Sequence, residues 1–561
     1  MEKHNSPEMA AVEARRRELS RKKWRQRFKK WSWQFLLAEA FLLPLFPPAA
    51  TAALLIAAVL TVLRFRTDDE FTFRNLPFDV PVGLFVLLSG LSILVSPDKG
   101  FSFYNWYNLV GVYVLNYFVV GQNLRDMRQL KEILLVSALS AVLVLLYGFY
   151  QYLFGIDISA MKWVDGEAFP ELRKRVFSTW ENPNILAGYL DAIICLGLGL
   201  FVKCGSRQKR IVLGVFMAAA AACLAMTYAR GACLVIAVIF AVYGMLKDWR
   251  ILLACVAAGA LLLLADSVLY ERLASVFTKV DTSSEMRLAF WESTVAMIQD
   301  HPFLGIGWGA YWMVYPEYDF YLQGADIRIV HAHNLYLNYM AEIGVPGAIA
   351  FFWLFFGSMV LAMRQKFLPP TPEPTPFDFN EETAVDVELK KVSDSVKADE
   401  QELSLWKDFR DWQDYRLLGG LSLGLGLALI SVALNGFTDD LLFNIPTSMF
   451  LWMLMAMIAA VAEFNRPVED VVDEPPAEPV HDWLKPSTPS SPEMVEDDPF
   501  AKMYETPEEK EAKAEEKTEA NDETEEALPA DKKVAAAKPE EKTAGEEQKD
   551  EKSDDHIKSD H

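Results

Sequence analysis

Only three of the chain's seven histidines lie outside its polar ends, and all three, His301, His331 and His333, fall in one loop. An imidazole titrates near neutral pH, so it can take up and return a proton. His333 and Asn334 are followed by nine residues and then by Gly344-Val345-Pro346-Gly347, where a long polar segment re-enters an apolar run. That placement suits proton abstraction at a membrane surface, with His333 as general base and Asn334 orienting its loop.

Three arginines stand where positive charge is out of place. Arg175 precedes FSTWENPNILAGYL, Arg230 lies in TYARG between two apolar runs, and Arg287 opens MRLAFWESTVAMI, whose Leu288, Trp291, Val295 and Ile298 recur at helical spacing. A charge at a membrane edge is costly and has a partner, and the planar guanidinium fork matches phosphate oxygens. Several arginines, one imidazole and an apolar wall suit a phosphate-bearing lipid. Plainer readings stay open. Arg230 could snorkel, Arg287 could pair with Glu285 or Glu292 on a helix face, and Arg175 could cap its loop. Arg173 and Lys174 read as solvated neighbours, and Arg272 and Arg328 as weaker candidates. His331 and His333 alternate as metal ligands on a strand do, but no third ligand of suitable type stands near them, so no metal is expected. Gly305, Gly307 and Gly309 read as a flexible turn, and Asp439 and Asp440 as solvated acids that could otherwise hold an arginine or a sugar hydroxyl.

The elements that must position these groups are helices in a bilayer. Hydrophobic residues make up 52% of the chain although its net charge is −22, because the acidic excess is concentrated beyond Arg466 and leaves a nearly neutral apolar body. Runs such as AALLIAAVLTVL and ILLACVAAGALLLLA suit membrane spans. About twelve spans are expected, at 35–46, 49–63, 80–95, 104–120, 133–154, 185–202, 211–226, 231–246, 251–265, 344–363, 417–433 and 446–462. The first could form a re-entrant hairpin with the second across Pro47-Pro48. Every second loop is basic, beginning with Arg15–Arg17 and the residues after them, which puts both termini in the cytoplasm and the loops 155–184 and 266–343 outside. The basic start is too long for a cleavable leader. Residues 1–34 form a basic N-terminal segment, 35–463 the membrane domain, 364–416 a polar, partly disordered cytoplasmic insert, and 464–561 an acidic disordered tail. The five cysteines sit in or beside apolar runs, which supports neither a disulfide framework nor a metal cluster. No nucleic-acid partner is expected.

His333-Asn334, nine residues, then Gly344 and Gly347 three apart resembles the signature of the O-antigen ligase family. PNILAGYL (183–190), YARG (228–231) and RLAFWESTVAMIQDHPFLGIGWG (287–309) are similar to further family blocks in the expected order, and the likeness covers roughly 35–463. The resemblance implies an all-α polytopic membrane protein of the lipid-carrier glycosyltransferase (GT-C-like) class with one large periplasmic loop, in the bacterial inner membrane. It implies an inverting enzyme, needing neither metal nor nucleotide nor other cofactor. Such an enzyme moves a glycan from undecaprenyl diphosphate to a sugar hydroxyl of lipid A–core on the periplasmic face. Its essential histidine corresponds to His333 and its essential arginines to Arg230 and Arg287, with Arg175 a weaker correspondence. O-antigen polymerases and protein O-oligosaccharyltransferases share the signature, and no residue separates them from the ligase; the single long outer loop favours the ligase. A transporter or flippase would show internal symmetry and polar helices at mid-bilayer, whereas here the arginines gather near one face.

Overall fold

The computed structural model describes residues 7–155, 175–265, 269–270, 282–320, 329–367, 369 and 394–464. The expectations placed on Arg173, Lys174, Arg272, Arg328 and the acidic tail lie outside these residues. The described residues are helical and include no strand. In chain order the helices are α1 (Pro7–Leu42), α2 (Pro47–Thr67), α3 (Asp79–Ser92), α4 (Lys99–Asn123), α5 (Met127–Phe154), α6 (Pro183–Lys203), α7 (Arg207–Met226), α8 (Arg230–Leu246), α9 (Trp249–Ala265), α10 (Thr282–Asp300), α11 (Leu335–Arg364), α12 (Asp394–Asn435) and α13 (Ile445–Phe464). A single turn of helix at Tyr311–Val314 lies between α10 and α11.

Their starts follow local chemistry. Asp98, Asp126 and Asn182 cap α4, α5 and α6 by accepting backbone N–H groups. Pro47 and Pro183 occupy first-turn positions, where a missing N–H costs nothing. α1 and α2 form the expected hairpin across Pro47. α6 and α12 cross so closely that a Cβ on Gly199 would lie 2.3 Å from the Gly424 nitrogen, the kind of approach small residues allow between membrane helices. α13, buried along most of its length, forms the middle of the core, whereas α7 lies at the periphery.

Among the described residues, seven helices are long and apolar enough to cross a membrane: α2, α5, α6, α7, α11, residues 411–435 of α12, and α13. Residues 79–95, 230–246 and 249–264 are apolar but shorter. Of the remaining expected segments, 35–46 overlaps the end of α1, which stops at Leu42, and 104–120 lies within α4; neither meets the same measure, so the expected count of about twelve is not reached by length and apolarity among the described residues. The span expected at 344–363 starts at the Gly344 break inside α11, and the nine residues before it, from Leu335, form a further helical segment that Asn334 caps. Within the expected insert, α12 is helical from Asp394.

The two ends of α5 locate the two ends of the bundle. Beside its N-terminus, Arg64 and Arg125 lie over the Phe71 ring at 3.5 and 4.1 Å, Arg25 pairs with Asp68 at 2.7 Å, and Arg74 donates to the Leu124 carbonyl at 3.0 Å. Beside its C-terminus, Gln151 donates to the Ser178 carbonyl at 3.1 Å and accepts the Ser178 N–H at 2.7 Å. α5 has 28 residues, so these ends are separated by about 42 Å at about 1.5 Å rise per residue.

Candidate active site at the Gln151 end of the bundle

His333 is placed by a loop that its neighbours over-determine. Asn334 accepts the N–H groups of Tyr336 and Leu337, both at 3.0 Å, and so caps α11, while its amide donates to the Phe437 carbonyl at 3.1 Å. Leu335 N donates to the Gly436 carbonyl at 2.8 Å, and Asn338 Oδ1 accepts the Ala332 N–H at 3.1 Å. Between these anchors His333 adopts φ +48°, a left-handed conformation that costs an L-residue of order 1 kcal/mol and persists where the surroundings enforce it. Asn334 thus both caps α11 and ties this loop to the Phe437 carbonyl.

The imidazole meets a carboxylate from the α12–α13 connection. His333 Nδ1 lies 3.0 Å from Asp439 Oδ1. An ionised carboxylate only accepts, so Nδ1 carries a proton, and in the neutral imidazole the lone pair is then on Nε2. Asn184, at the start of α6, donates to Asp439 Oδ2 at 3.2 Å and accepts from Arg175 Nη2 at 2.8 Å. Arg175 Nε donates to the Thr227 carbonyl at 2.7 Å. Arg175 thus donates to Asn184 and Asn184 to Asp439, while His333 donates to Asp439 from the other side. The Phe290 ring from α10 stacks on His333 at 5.9 Å between centroids.

Burial raises the Asp439 pKa, but the His333 hydrogen bond, the positive charge of each imidazole in its protonated form and the Arg287 charge outweigh it and hold the carboxyl well below the usual range. Its neighbour Asp440 behaves oppositely. Burial pushes it up to about 7, against the Leu442 N–H that it accepts, with the Asp439 charge adding to the rise. Burial also lowers His331 to about 3 and keeps it neutral, helped by the neighbouring His333. The expectation that Asp439 and Asp440 are solvated is thus corrected: Asp440 is 5% exposed and Asp439 is bonded to the imidazole.

The three sequence-selected arginines approach this dyad by different routes. Arg175 belongs to the hydrogen-bonded chain. Arg287 lies three residues before Phe290 on the same face of α10, and its charge is felt by both Asp439 and His331. Arg230 begins α8, whose cap residue Ala229 makes no side-chain hydrogen bond. A Cβ on the adjacent Gly231 would lie 3.3 Å from Thr438 Oγ1, which puts the start of α8 against the segment carrying Asp439. Tyr228, just before it, has φ +51°.

The signature glycines build the floor. Gly344 has φ +72° and breaks α11, and a Cβ there would lie 2.3 Å from the Phe303 carbonyl oxygen. The Gly305–Gly309 turn docks into that break: Ile306 N and Gly307 N donate to the Ala341 and Glu342 carbonyls at 2.8 and 3.1 Å, and Gly309 N donates to the Glu342 carboxylate at 3.1 Å. This run is therefore a docked brace rather than a flexible turn.

Sequence reasoning missed the carboxylate that bonds His333 and the amide that holds that carboxylate. Asn184 lies in the PNILAGYL block but carries no charge to draw notice. Asp439 lies 106 residues from His333, so no local pattern joins them. Nor was the expectation that His331 and His333 lack a third metal-type neighbour correct, for one donor atom each from His331, His333 and Asp439 lie within 4.8 Å of one another.

The apolar helices and the buried polar cluster at one end of them define a polytopic membrane protein. Residues 213–352 match the family model described as O-antigen ligase. That stretch holds Arg230, Arg287, His333 and Asn334, and its match agrees with the resemblance to the O-antigen ligase family drawn from the sequence. Arg175, Asn184 and Asp439 lie outside the matched stretch. No curated protein matches the chain.

Proposed function

We propose that the protein transfers a preassembled glycan from undecaprenyl diphosphate to a sugar hydroxyl of lipid A–core on the outer face of the bacterial inner membrane. The observation that carries the reading is the His333–Asp439 hydrogen bond of 3.0 Å, which reserves Nε2 as a proton acceptor. His333 takes the proton of the acceptor hydroxyl as that oxygen attacks the anomeric carbon. The new C–O bond forms as the bond to the diphosphate breaks, so the carbon inverts without a glycosyl-enzyme intermediate. Asp439 stabilises the imidazolium that results.

The leaving diphosphate gathers charge. Arg287 and Arg230 neutralise it beside the N–H groups at the start of α8, in surroundings where charges interact more strongly than in water. Arg175 acts through Asn184 and Asp439, holding the carboxylate that holds the base. Phe290 and α10 cover the imidazole and limit the water that would compete as acceptor. The carrier's isoprenoid lies between helices. No step is routed through a metal or a nucleotide. The arginine-rich end, with Arg25, Arg64, Arg74 and Arg125, faces the cytoplasm, as do both termini, and the His333 end faces the periplasm.

The test is reconstitution of the full chain with an undecaprenyl-diphosphate-linked glycan and three separate acceptors: lipid A–core, a second carrier-linked donor, and a serine- and threonine-containing peptide. Glycosylated lipid A–core with release of the carrier diphosphate is expected. Elongated donor would instead make the protein a polymerase, and glycopeptide a protein transferase.

A further inference from the structure

His331 takes no part in the transfer just described, yet its ring centroid lies 4.1 Å from that of His333. It is buried, and its Nδ1 accepts the His333 backbone N–H at 3.2 Å, a hydrogen bond that a metal bond to the imidazole would replace. Two imidazoles and a carboxylate form a donor set for a divalent transition ion such as zinc; magnesium and calcium prefer oxygen alone. Four-coordinate zinc with bonds of about 2.0–2.1 Å needs ligand-to-ligand edges of about 3.3 Å. The His333–Asp439 edge is already 3.0 Å. From the 4.8 Å bound, any other edge must close by at most about 1.5 Å, within reach of side-chain rotation. Asn184 already steadies the second Asp439 oxygen, as outer-shell partners of metal ligands do.

We propose that His331, His333 and Asp439 form a site for zinc or a similar divalent transition ion, and that the bound ion inhibits transfer by taking the imidazole the reaction needs. The inhibitory half rests on the reading of His333 as base; the binding half does not. An ion on Nδ1 of His333 displaces the ring proton to Nε2, which fills the lone pair that would accept the hydroxyl proton. An ion on Nε2 occupies that lone pair directly. Asp439 turns from hydrogen-bond acceptor to ligand in both cases, and water completes the coordination.

The experiment uses the full chain in nanodiscs, titrated with ZnCl2 by calorimetry and with CoCl2 by visible absorption. One ion per chain is expected, with the intense d–d bands of four-coordinate Co2+, bleached by added Zn2+. His331→Asn places an amide oxygen where Nδ1 now accepts the backbone N–H, and is expected to weaken zinc binding at least tenfold. In the transfer assay zinc silences the wild type and EDTA restores it. His331→Asn keeps its basal transfer but needs at least tenfold more zinc, and MgCl2 at the same concentration does nothing. Absence of ion binding by the wild type, a six-coordinate cobalt spectrum, or binding that His331→Asn leaves unchanged would overturn the site. Zinc bound there with transfer intact would overturn the inhibition. Because the cobalt spectrum needs neither a variant nor activity, it reads the site even if the proposed reaction is wrong.

Discussion

Asp439→Asn probes the direction of the hydrogen-bond chain as well as its charge. The carboxylate accepts from His333 Nδ1 at 3.0 Å, from the Asp440 N–H at 3.0 Å and from Asn184 Nδ2 at 3.2 Å. Arg175 can only donate, so Asn184 must turn its oxygen toward Arg175 and its nitrogen toward Asp439. An amide at 439 that keeps its oxygen on His333 presents an NH2 to the NH2 of Asn184. Flipping Asn184 only moves the clash to Arg175. The cost is roughly 1–3 kcal/mol for the unsatisfied donor and roughly 1.5–3 kcal/mol for the lost charged hydrogen bond to the developing imidazolium. With overlap this comes to roughly 3–5 kcal/mol, a loss of about 10²- to 10⁴-fold at about 1.36 kcal/mol per decade. The assay is transfer from a labelled undecaprenyl-diphosphate-linked glycan by reconstituted protein, with the loss expected in kcat and not in KM. The double variant Asn184→Asp/Asp439→Asn restores the polarity, since a carboxylate at position 184 would accept both from Arg175 and from the amide at 439. It is expected to recover at least tenfold over Asp439→Asn alone. Wild-type kcat in the single variant, or no recovery in the double, would refute these donor and acceptor assignments.

Gly344→Ala is expected to lower the melting temperature in detergent and to reduce transfer. The left-handed backbone costs an L-residue about 1–2 kcal/mol, and the added Cβ meets the Phe303 carbonyl as well. A melt unchanged from wild type would show that the α11 break tolerates a side chain. Arg230→Lys keeps the charge and loses the fork, and transfer is expected to fall at least tenfold; full turnover would mean that charge alone suffices there. Asp440 has its folded pKa raised to about 7, above an unfolded value of about 3.9. The folded state therefore binds more protons between these values, and stability falls as pH rises through that window. Thermal melts from pH 4 to 8 are expected to show this slope in the wild type and a smaller one in Asp440→Asn; identical slopes would remove Asp440 as their source.

The parts of the site that could be read in the sequence were local. His333, Asn334 and the glycines after them lie in one stretch, and the helix cap, the left-handed residues and the break all arise within it. Arg175, Arg230 and Arg287 were visible because each sits where an apolar or outer segment should carry no positive charge. Asp439 was not legible, because an acid beside a second acid in a short connection looks solvated until the fold supplies an imidazole from far along the chain. Asn184 was hidden for a related reason, since an uncharged amide gains its meaning only from Arg175 on one side and Asp439 on the other. Helix positions were read well from apolar runs, but the helical segment before the Gly344 break and the polar start of α12 were not. Crossing length was the weaker inference, because a run can be apolar and helical yet shorter than a span, as residues 230–246 and 249–264 are.

The central claim is that His333 is the base, and chemical rescue tests it most directly. Single-turnover transfer by His333→Ala would be measured with and without added imidazole, on protein shown to be inserted and to melt like the wild type. Loss of transfer, with partial recovery as imidazole fills the space left by the ring, is the expected result. Transfer at an undiminished rate by His333→Ala without imidazole would contradict the account.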